Sequence, residues 1–461
     1  MKKTCAIGLG WMVLACLGGS IAAQEGRPVS SAQFAARRAA FYRQIQDGVA
    51  ILLGAPSAPQ PFLFRQSNNF YYFSGVEVPD AVLVLDAKAQ RSMLFLPSLS
   101  QMEMNLNGNP LQPGKAAENA TGIDQALPLQ EFVPTLANLL MQDGIVGGRT
   151  LYVATVPDGL PSQDFNFQTY LKSMQVWDNR PSRPGAFVEW VSQRFPTLSI
   201  KSYDRIVNSM RRVKSPEEIA ILRRNATLTT RAMNEAIRAT APGMYEHDVA
   251  AAADFIYSTG GAQRLAYGDI VASGPNGNVW HYFANRRQML ADELVLMDSA
   301  AELDYYAEDL TRTWPVSGRF NPEQLKMYEC VLDASKKVID AVRPGVTIPQ
   351  LNEIARKVYE EHGFGQNYPG FIGHYVGLSV HDVGPEEAPF VPGVVFNVEP
   401  LLDIPGKHAH VRLEDTVVVT ETGREWLTSG SPKDVRDLYH LYDEGSYLFP
   451  RSHKHSDKKT D

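Results

Sequence analysis

Four carboxylates and three histidines in this 461-residue chain have the types and spacing to hold divalent cations. The stretch 297–315, MDSAAELDYYAEDLTRTWP, places Asp298, Glu302, Asp304, Glu308 and Asp309 directly after the apolar run Leu294 to Met297. A strand that enters a core rarely carries so many acids, because a buried unpaired carboxylate is costly. Two of the five have counterparts about a hundred positions on. Asp298 and Glu399 lie 101 positions apart, each after an apolar run, and Asp309 and Glu414 lie 105 apart. His281 and His381 are separated by 100. A lone aspartate at a strand end is most often a solvated cap, and a lone histidine such as His281 is most often a satisfied core or surface residue. The shared order of one histidine and then two carboxylates is what singles these residues out. Four carboxylates delivered from facing hairpins suit two hard or borderline cations. Two such ions roughly 3.5–4 Å apart can share a hydroxide and stabilise a displacement at a carbonyl. His374 has Ser273 at its offset of 101, so one imidazole would make the two cation positions inequivalent. Glu302, Asp304, Glu308, Glu386 and Glu387 read as ordinary turn acids. His408 and His410 stand beside Pro405-Gly406-Lys407, which suggests an exposed turn.

The elements that must position these residues also come in pairs. Ser215, Pro216 and Glu218 form a capping box that opens a helix after Arg211-Arg212-Val213-Lys214. A stripe of Ile219, Leu222, Ala226, Met233 and Ile237 carries that helix to Pro242-Gly243, and a second helix spans about 246–259. A helix from Pro322 to Pro344-Gly345 and another at about 348–361 repeat the pattern, with strand-like segments completing each half. A period of about a hundred residues is too long for a solenoid, so two halves about a pseudo-twofold axis are expected. Upstream, a basic helical segment (34–46), strand-like runs at 49–53, 81–85 and 94–96, a helix near 129–142 and a strand at 151–153 alternate. They predict an α/β domain with a mixed sheet. The fold class is α/β (α+β), with an N-terminal α/β domain before a duplicated catalytic domain.

The first residues, MKKTCAIGLGWMVLACLGGSIAAQEG, pair Lys2 and Lys3 with a short apolar run and small residues ending in Ala22-Ala23. This is the layout of a secretory signal peptide cleaved near Ala23, with anchoring through Cys16 as the lesser alternative. Its removal leaves Cys330 as the one cysteine, hence no internal disulfide. The formal charge of −7 becomes −9 with the loss of Lys2 and Lys3, and no basic stripe points to nucleic acid. No later stretch is apolar for long enough to span a bilayer. The expected divisions are a signal peptide at 1–23, an N-terminal domain at 24–208, a catalytic domain at 209–447 and a disordered tail at 448–461.

The segments HYFANRRQMLADELVLMDSAAELDYYAEDLTRTWPVSG, GHYVGLSVHDVG, NVEP and VRLEDTVVVT closely resemble the family of aminopeptidase P, prolidase and methionine aminopeptidase. The N-terminal RQSNNFYYFSGVEVPDAVLVL, with Arg65, Asn68, Phe70, Tyr72 and Gly75, resembles the aminopeptidase P version. Methionine aminopeptidases lack that domain. The resemblance implies a creatinase/prolidase-like N-terminal domain and a pseudo-twofold "pita-bread" catalytic domain. It implies Asp298, Asp309, His374, Glu399 and Glu414 as metal ligands, with Asp309 and Glu414 bridging, Asp298 on one ion, and His374 with Glu399 on the other. The implied cofactor is two divalent ions, manganese first, with cobalt or zinc as alternatives. By the same resemblance a bridging hydroxide attacks the carbonyl before proline and Glu399 relays its proton. His281 and His381 contact the substrate, and Arg412 and Thr311 orient carboxylates. The expected activity is secreted or periplasmic Xaa-Pro aminopeptidase on peptides with proline second, in a dimer or tetramer. Xaa-Pro dipeptidase (prolidase) is the alternative, and a non-catalytic pita-bread binding protein a remote one. The chain departs from the pattern at Gly370, where relatives often have histidine, and at Asp403, where they often have tyrosine; both bear on dipeptide versus longer-peptide preference.

Overall fold

The structure is a computed structural model and describes residues 28–58, 63–108, 110–142, 145–146, 148–155, 174–177 and 180–449. The expected signal peptide and residues 450–461 of the expected tail lie outside these residues. Among the described residues no helix is long and apolar enough to cross a membrane.

The N-terminal part is organised on a six-stranded sheet in the order Gln125–Pro128, Arg91–Leu96, Val82–Asp86, Val49–Leu53, Leu151–Val153 and Ile200–Ser202. The middle three strands run antiparallel, and both flanks add parallel strands, so the sheet is mixed as the alternating pattern predicts. Val49 to Leu52 are buried on both faces because helices cover the sheet on each side. The helix Ser31–Ile45 packs on one face through Phe34, Phe41 and Ile45. Leu136 and Leu140, from the helix Phe132–Leu140, fill the other.

The helix Asp204–Arg212 follows the last strand, and the expected boundary at 208/209 falls inside it. Val213 to Lys214 then lead into the long helix Pro216–Ala239, whose Ser215 and Glu218 make the expected reciprocal cap. Buried Lys214 and Arg211 both reach the carboxylate of Asp382, at 3.0 and 2.6 Å, and fasten this connection to the catalytic half of the chain.

The two halves of the catalytic part repeat one order. In the first, the helices Pro216–Ala239 and Glu246–Thr259 precede the strand Leu294–Asp298, a small hairpin (Ala301–Leu303 with Tyr306–Ala307) and the strand Thr311–Pro315. In the second, the helices Pro322–Ala341 and Ile348–Glu361 precede Val395–Val398, the hairpin Leu401–Ile404 with Ala409–Arg412, and Asp415–Val419. Asp298 pairs with Thr311 in the first half, and Val398 with Asp415 in the second. In both, one carboxylate closes the outgoing strand and another opens the returning one.

Candidate metal centre

Strand register brings the carboxylates together. Asp298 ends its strand opposite Thr311, two residues past Asp309. Glu399 follows Val398, opposite Asp415 and beside Glu414. The backbone N–H of Glu414 donates to Thr311 O at 3.1 Å, so the returning strands of the two halves meet at the site. His374 arrives on an extended segment laid along Val395–Val398. Asn397 N donates to His374 O at 2.7 Å, and Glu399 N to Ile372 O at 2.8 Å, which places His374 beside Glu399. Gly373 makes that approach possible: its φ is +148°, and a Cβ there would lie 1.8 Å from Asn397 O.

Oxygen and nitrogen atoms of Asp298, Asp309 and Glu414 lie within 4.8 Å of one another, and so do those of His374, Glu399 and Glu414. All five expected ligands therefore converge, with Glu414 common to both groups. A third group of the same size joins Asp309 and His374 to His381. The cluster carries four carboxylates, and one buried guanidinium, Arg412, reaches into it. Arg412 Nη2 is 2.6 Å from Asp298 Oδ2, and its Nε is 3.8 Å from Glu399 Oε1 and 3.2 Å from Thr311 Oγ1. Thr311 in turn donates to Glu414. Tyr267 presents its hydroxyl to Asp298 and, at 2.5 Å, to Asp309 Oδ1.

Burial, with mutual repulsion, raises these acids. Burial pushes Asp298 up to about 6 against the pull of Arg412, and lifts Asp309 with help from Asp298. Burial and Glu414 lift Glu399 well above the usual carboxylate range, and burial and Asp309 lift Glu414. Burial opposes protonation of His374, but Asp309 and Glu414 outweigh it and raise the imidazole well above its ordinary value. The site holds more negative charge than its own residues neutralise.

Whether these residues fit metal is decided by His374. Its Nδ1 lies 3.1 Å from the Tyr375 carbonyl, which fixes the tautomer, while its Nε2 is buried with no hydrogen-bond partner. That nitrogen faces Asp309 Oδ2 at 3.3 Å and Glu414 Oε1 at 3.7 Å. A histidine tied by one nitrogen and aiming the other among carboxylates is the usual arrangement of a metal ligand. The donor set of oxygens and one imidazole suits manganese, cobalt or zinc. Its first-half counterpart, Ser273, is bonded instead to Glu246 at 2.8 Å, which makes the halves unequal as the offset implied.

His381 stacks on His374 with ring centroids 3.9 Å apart, and burial, His374 and His281 hold it well below the ordinary histidine value. His281 sits on the exposed segment after Val279, lowered by burial and Arg412.

Several acids differ from the sequence reading. Glu302 is fully buried rather than a turn acid: Arg65 Nε lies 2.7 Å from it, and Arg264 pairs with its other oxygen. Glu308 is fully buried as well, and burial pushes its carboxyl up to about 8. Asp304, at positive φ in the hairpin turn, is the one of the three that fits the expectation. His408 lies on the expected exposed turn, whereas His410 points inward from the returning strand and is buried, its Nδ1 3.0 Å from Asp403. Sequence reasoning also passed over Tyr267, whose neighbours in RLAYGDI carry no distinguishing signal.

Comparison with known proteins agrees with this geometry. Residues 220–421 match the metallopeptidase family M24, and residues 34–146 match the aminopeptidase P N-terminal domain. The Xaa-Pro aminopeptidase of Escherichia coli (strain K12) is 30% identical over 452 residues, covering 89% of this chain and 97% of that protein. Human Xaa-Pro aminopeptidase 3 is 28% identical, covering 91% and 87%. An Xaa-Pro dipeptidase of Pyrococcus horikoshii is 32% identical but covers 60% of this chain and 83% of its own. Among solved structures, a putative aminopeptidase P from Bacillus anthracis superposes with a TM-score of 0.81 at 26% identity, covering 91% and 100%. Zinc-substituted E. coli aminopeptidase P in complex with product gives 0.77 at 28%, covering 90% and 99%. The fold and the donor set together define a metal-dependent aminopeptidase, a hydrolase with proline specificity. Within that class, the chain belongs to the aminopeptidase P family.

Proposed function

We propose that this protein is an exported, dinuclear Xaa-Pro aminopeptidase that releases the N-terminal residue of peptides with proline in the second position. The observation that carries the reading is the buried Nε2 of His374, which makes no hydrogen bond yet lies 3.3 Å from Asp309 Oδ2 and 3.7 Å from Glu414 Oε1. Asp298, Asp309, His374, Glu399 and Glu414 would hold the two cations, Asp298 serving one, His374 with Glu399 the other, and Asp309 and Glu414 both, with manganese the first candidate and cobalt or zinc compatible. Bound divalent cations supply Lewis acidity for the carbonyl and ready a water to attack it. Glu399 would take a proton on its carboxylate and pass it to the leaving nitrogen. His281 and His381 would donate N–H bonds to peptide oxygens. Arg412 fixes Asp298, and through Thr311 it steadies Glu414.

The match of the N-terminal domain and the coverage of the E. coli aminopeptidase support the aminopeptidase reading over the dipeptidase one. The dipeptidase alternative has the Pyrococcus relative behind it. An Xaa-Pro dipeptide and an Xaa-Pro-Xaa tripeptide, assayed side by side on manganese-reconstituted protein, separate them; cleavage of the dipeptide alone sinks the proposal. Chelation or Asp309→Ala should abolish hydrolysis, and full activity in metal-stripped protein would refute the dinuclear mechanism. Export rests on residues 1–23, and N-terminal sequencing of the mature protein should begin near residue 24; a start at Cys16 would mark an anchored lipoprotein. A dimer or tetramer is the expected assembly, read by light scattering.

A further inference from the structure

We propose that the cleft beside the two stacked imidazoles receives the peptide beyond proline, and that Arg205 binds a substrate carboxylate there. This rests on the aminopeptidase reading above and specifies the substrate's far end.

A cleft of about 560 Å³ runs from His374 and His381, past Phe371 and Tyr375, to Arg205, Asn208 and Ser209 on the helix Asp204–Arg212. That volume lies in the range of small-ligand sites. Its lining reaches the imidazoles but not Asp298, Asp309 or Glu414, so it opens on the side of the site away from those acids. An N-terminal amine is cationic and is drawn to the carboxylate side. An enzyme that releases one residue needs room there for that residue alone. The rest of the peptide therefore leaves through the opposite opening, which is this cleft.

The charges along that path are uneven. Asp382 lines the cleft but is neutralised by Arg211 at 2.6 Å and Lys214 at 3.0 Å. Glu386 stands on the exposed turn at the near rim. Arg205 is exposed at the far wall and makes no ion pair among the described residues. A second hollow of about 320 Å³, lined by Gln44, Ile206 and Met210, shares Arg205 and Ser209 with the cleft. Arg205 thus lines both spaces, and its guanidinium is within reach of a chain that emerges through the cleft. Its ligand is a carboxylate, either the C-terminus of a short peptide or an acidic side chain of a longer one.

Calorimetry on the manganese-loaded protein tests this with product-like probes: Pro-Leu against Pro-Leu amide, and Pro-Glu amide against Pro-Gln amide. The wild type should bind the carboxylate member of at least one pair about three- to tenfold tighter. The first pair reports a C-terminal carboxylate and the second a side chain. Arg205→Ala should remove that preference, Arg205→Lys should keep part of it, and Glu386→Gln should strengthen it. In hydrolysis, Arg205→Ala should raise KM for an Xaa-Pro-Leu substrate and leave kcat unchanged, with amidated substrate unaffected. An unchanged carboxylate preference in Arg205→Ala, or no preference in the wild type, overturns the assignment. Absence of any Xaa-Pro hydrolysis in the wild type would instead sink the aminopeptidase reading, and the binding comparison would still decide on Arg205.

Discussion

Arg412 Nη2 donates to Asp298 Oδ2 at 2.6 Å, so a cation from the second half of the duplication holds a carboxylate from the first. Both groups are buried, and among the described residues no second arginine pairs with these carboxylates. Arg412→Ala should lower kcat/KM on an Xaa-Pro peptide by about 10–100-fold, the range for removing a group that orients a metal ligand. Arg412→Lys keeps the charge but loses the fork that spans Asp298 and Thr311, and should recover only part of the activity.

Gly373 is where the backbone must approach Asn397 most closely to set His374 beside Glu399. With φ at +148° and only 1.8 Å between an added Cβ and Asn397 O, Gly373→Ala must displace the segment. The expected result is loss of one metal equivalent by elemental analysis and at least about tenfold lower activity. Circular dichroism should stay near that of the wild type, because the neighbouring strands are held by their own ladder.

Glu302 ties the domains together. Arg65, which pairs with it at 2.7 Å, also donates to Asn68 at 2.7 Å and Leu378 O at 3.0 Å. Glu302→Gln would leave Arg65 and Arg264, both partly exposed, without their countercharge, at a cost of roughly 1–3 kcal/mol. Thermal unfolding should fall by several degrees while kcat/KM measured well below the midpoint changes little. An unaltered midpoint would show that the pair contributes nothing net.

What could be read in the sequence follows from what duplication repeats. The offsets of 101 and 105 pair Asp298 with Glu399 and Asp309 with Glu414, and the structure brings these four carboxylates together. Helix caps were legible because Ser215 and Glu218 act within one turn. Glu302 was not, because its partner Arg65 lies 237 positions away and local context shows only another acid near a hairpin. Glu308 looks the same in sequence, and only packing shows it buried. Tyr267 escaped because a tyrosine after an alanine has no periodic or spacing signal, although its hydroxyl meets two of the acids. His410 escaped for a different reason: its turn is exposed, but the strand returning from it alternates inward within two residues.

Asp403 stands where relatives of this family often carry tyrosine, and its contacts suggest what it does instead. One oxygen lies 3.0 Å from His410 Nδ1 and also accepts from the amide of Asn278, which itself donates to Ala409 O at 3.1 Å. Asn278 begins the segment that carries Trp280 and His281, and Arg412 reaches the Trp280 carbonyl at 3.4 Å. Asp403 therefore anchors the segment that carries His281. Asp403→Ala should free that segment and reduce kcat, with metal content unchanged. If Asp403 acts through His281, the loss in Asp403→Ala with His281→Ala should be about that of His281→Ala alone, since an anchor has nothing to position once the imidazole is gone. Fully multiplicative losses in the double variant would assign Asp403 a role independent of His281. Asp403→Asn keeps an oxygen for the Asn278 amide and should retain more activity than Asp403→Ala, which separates a lost hydrogen bond from a general loss of packing.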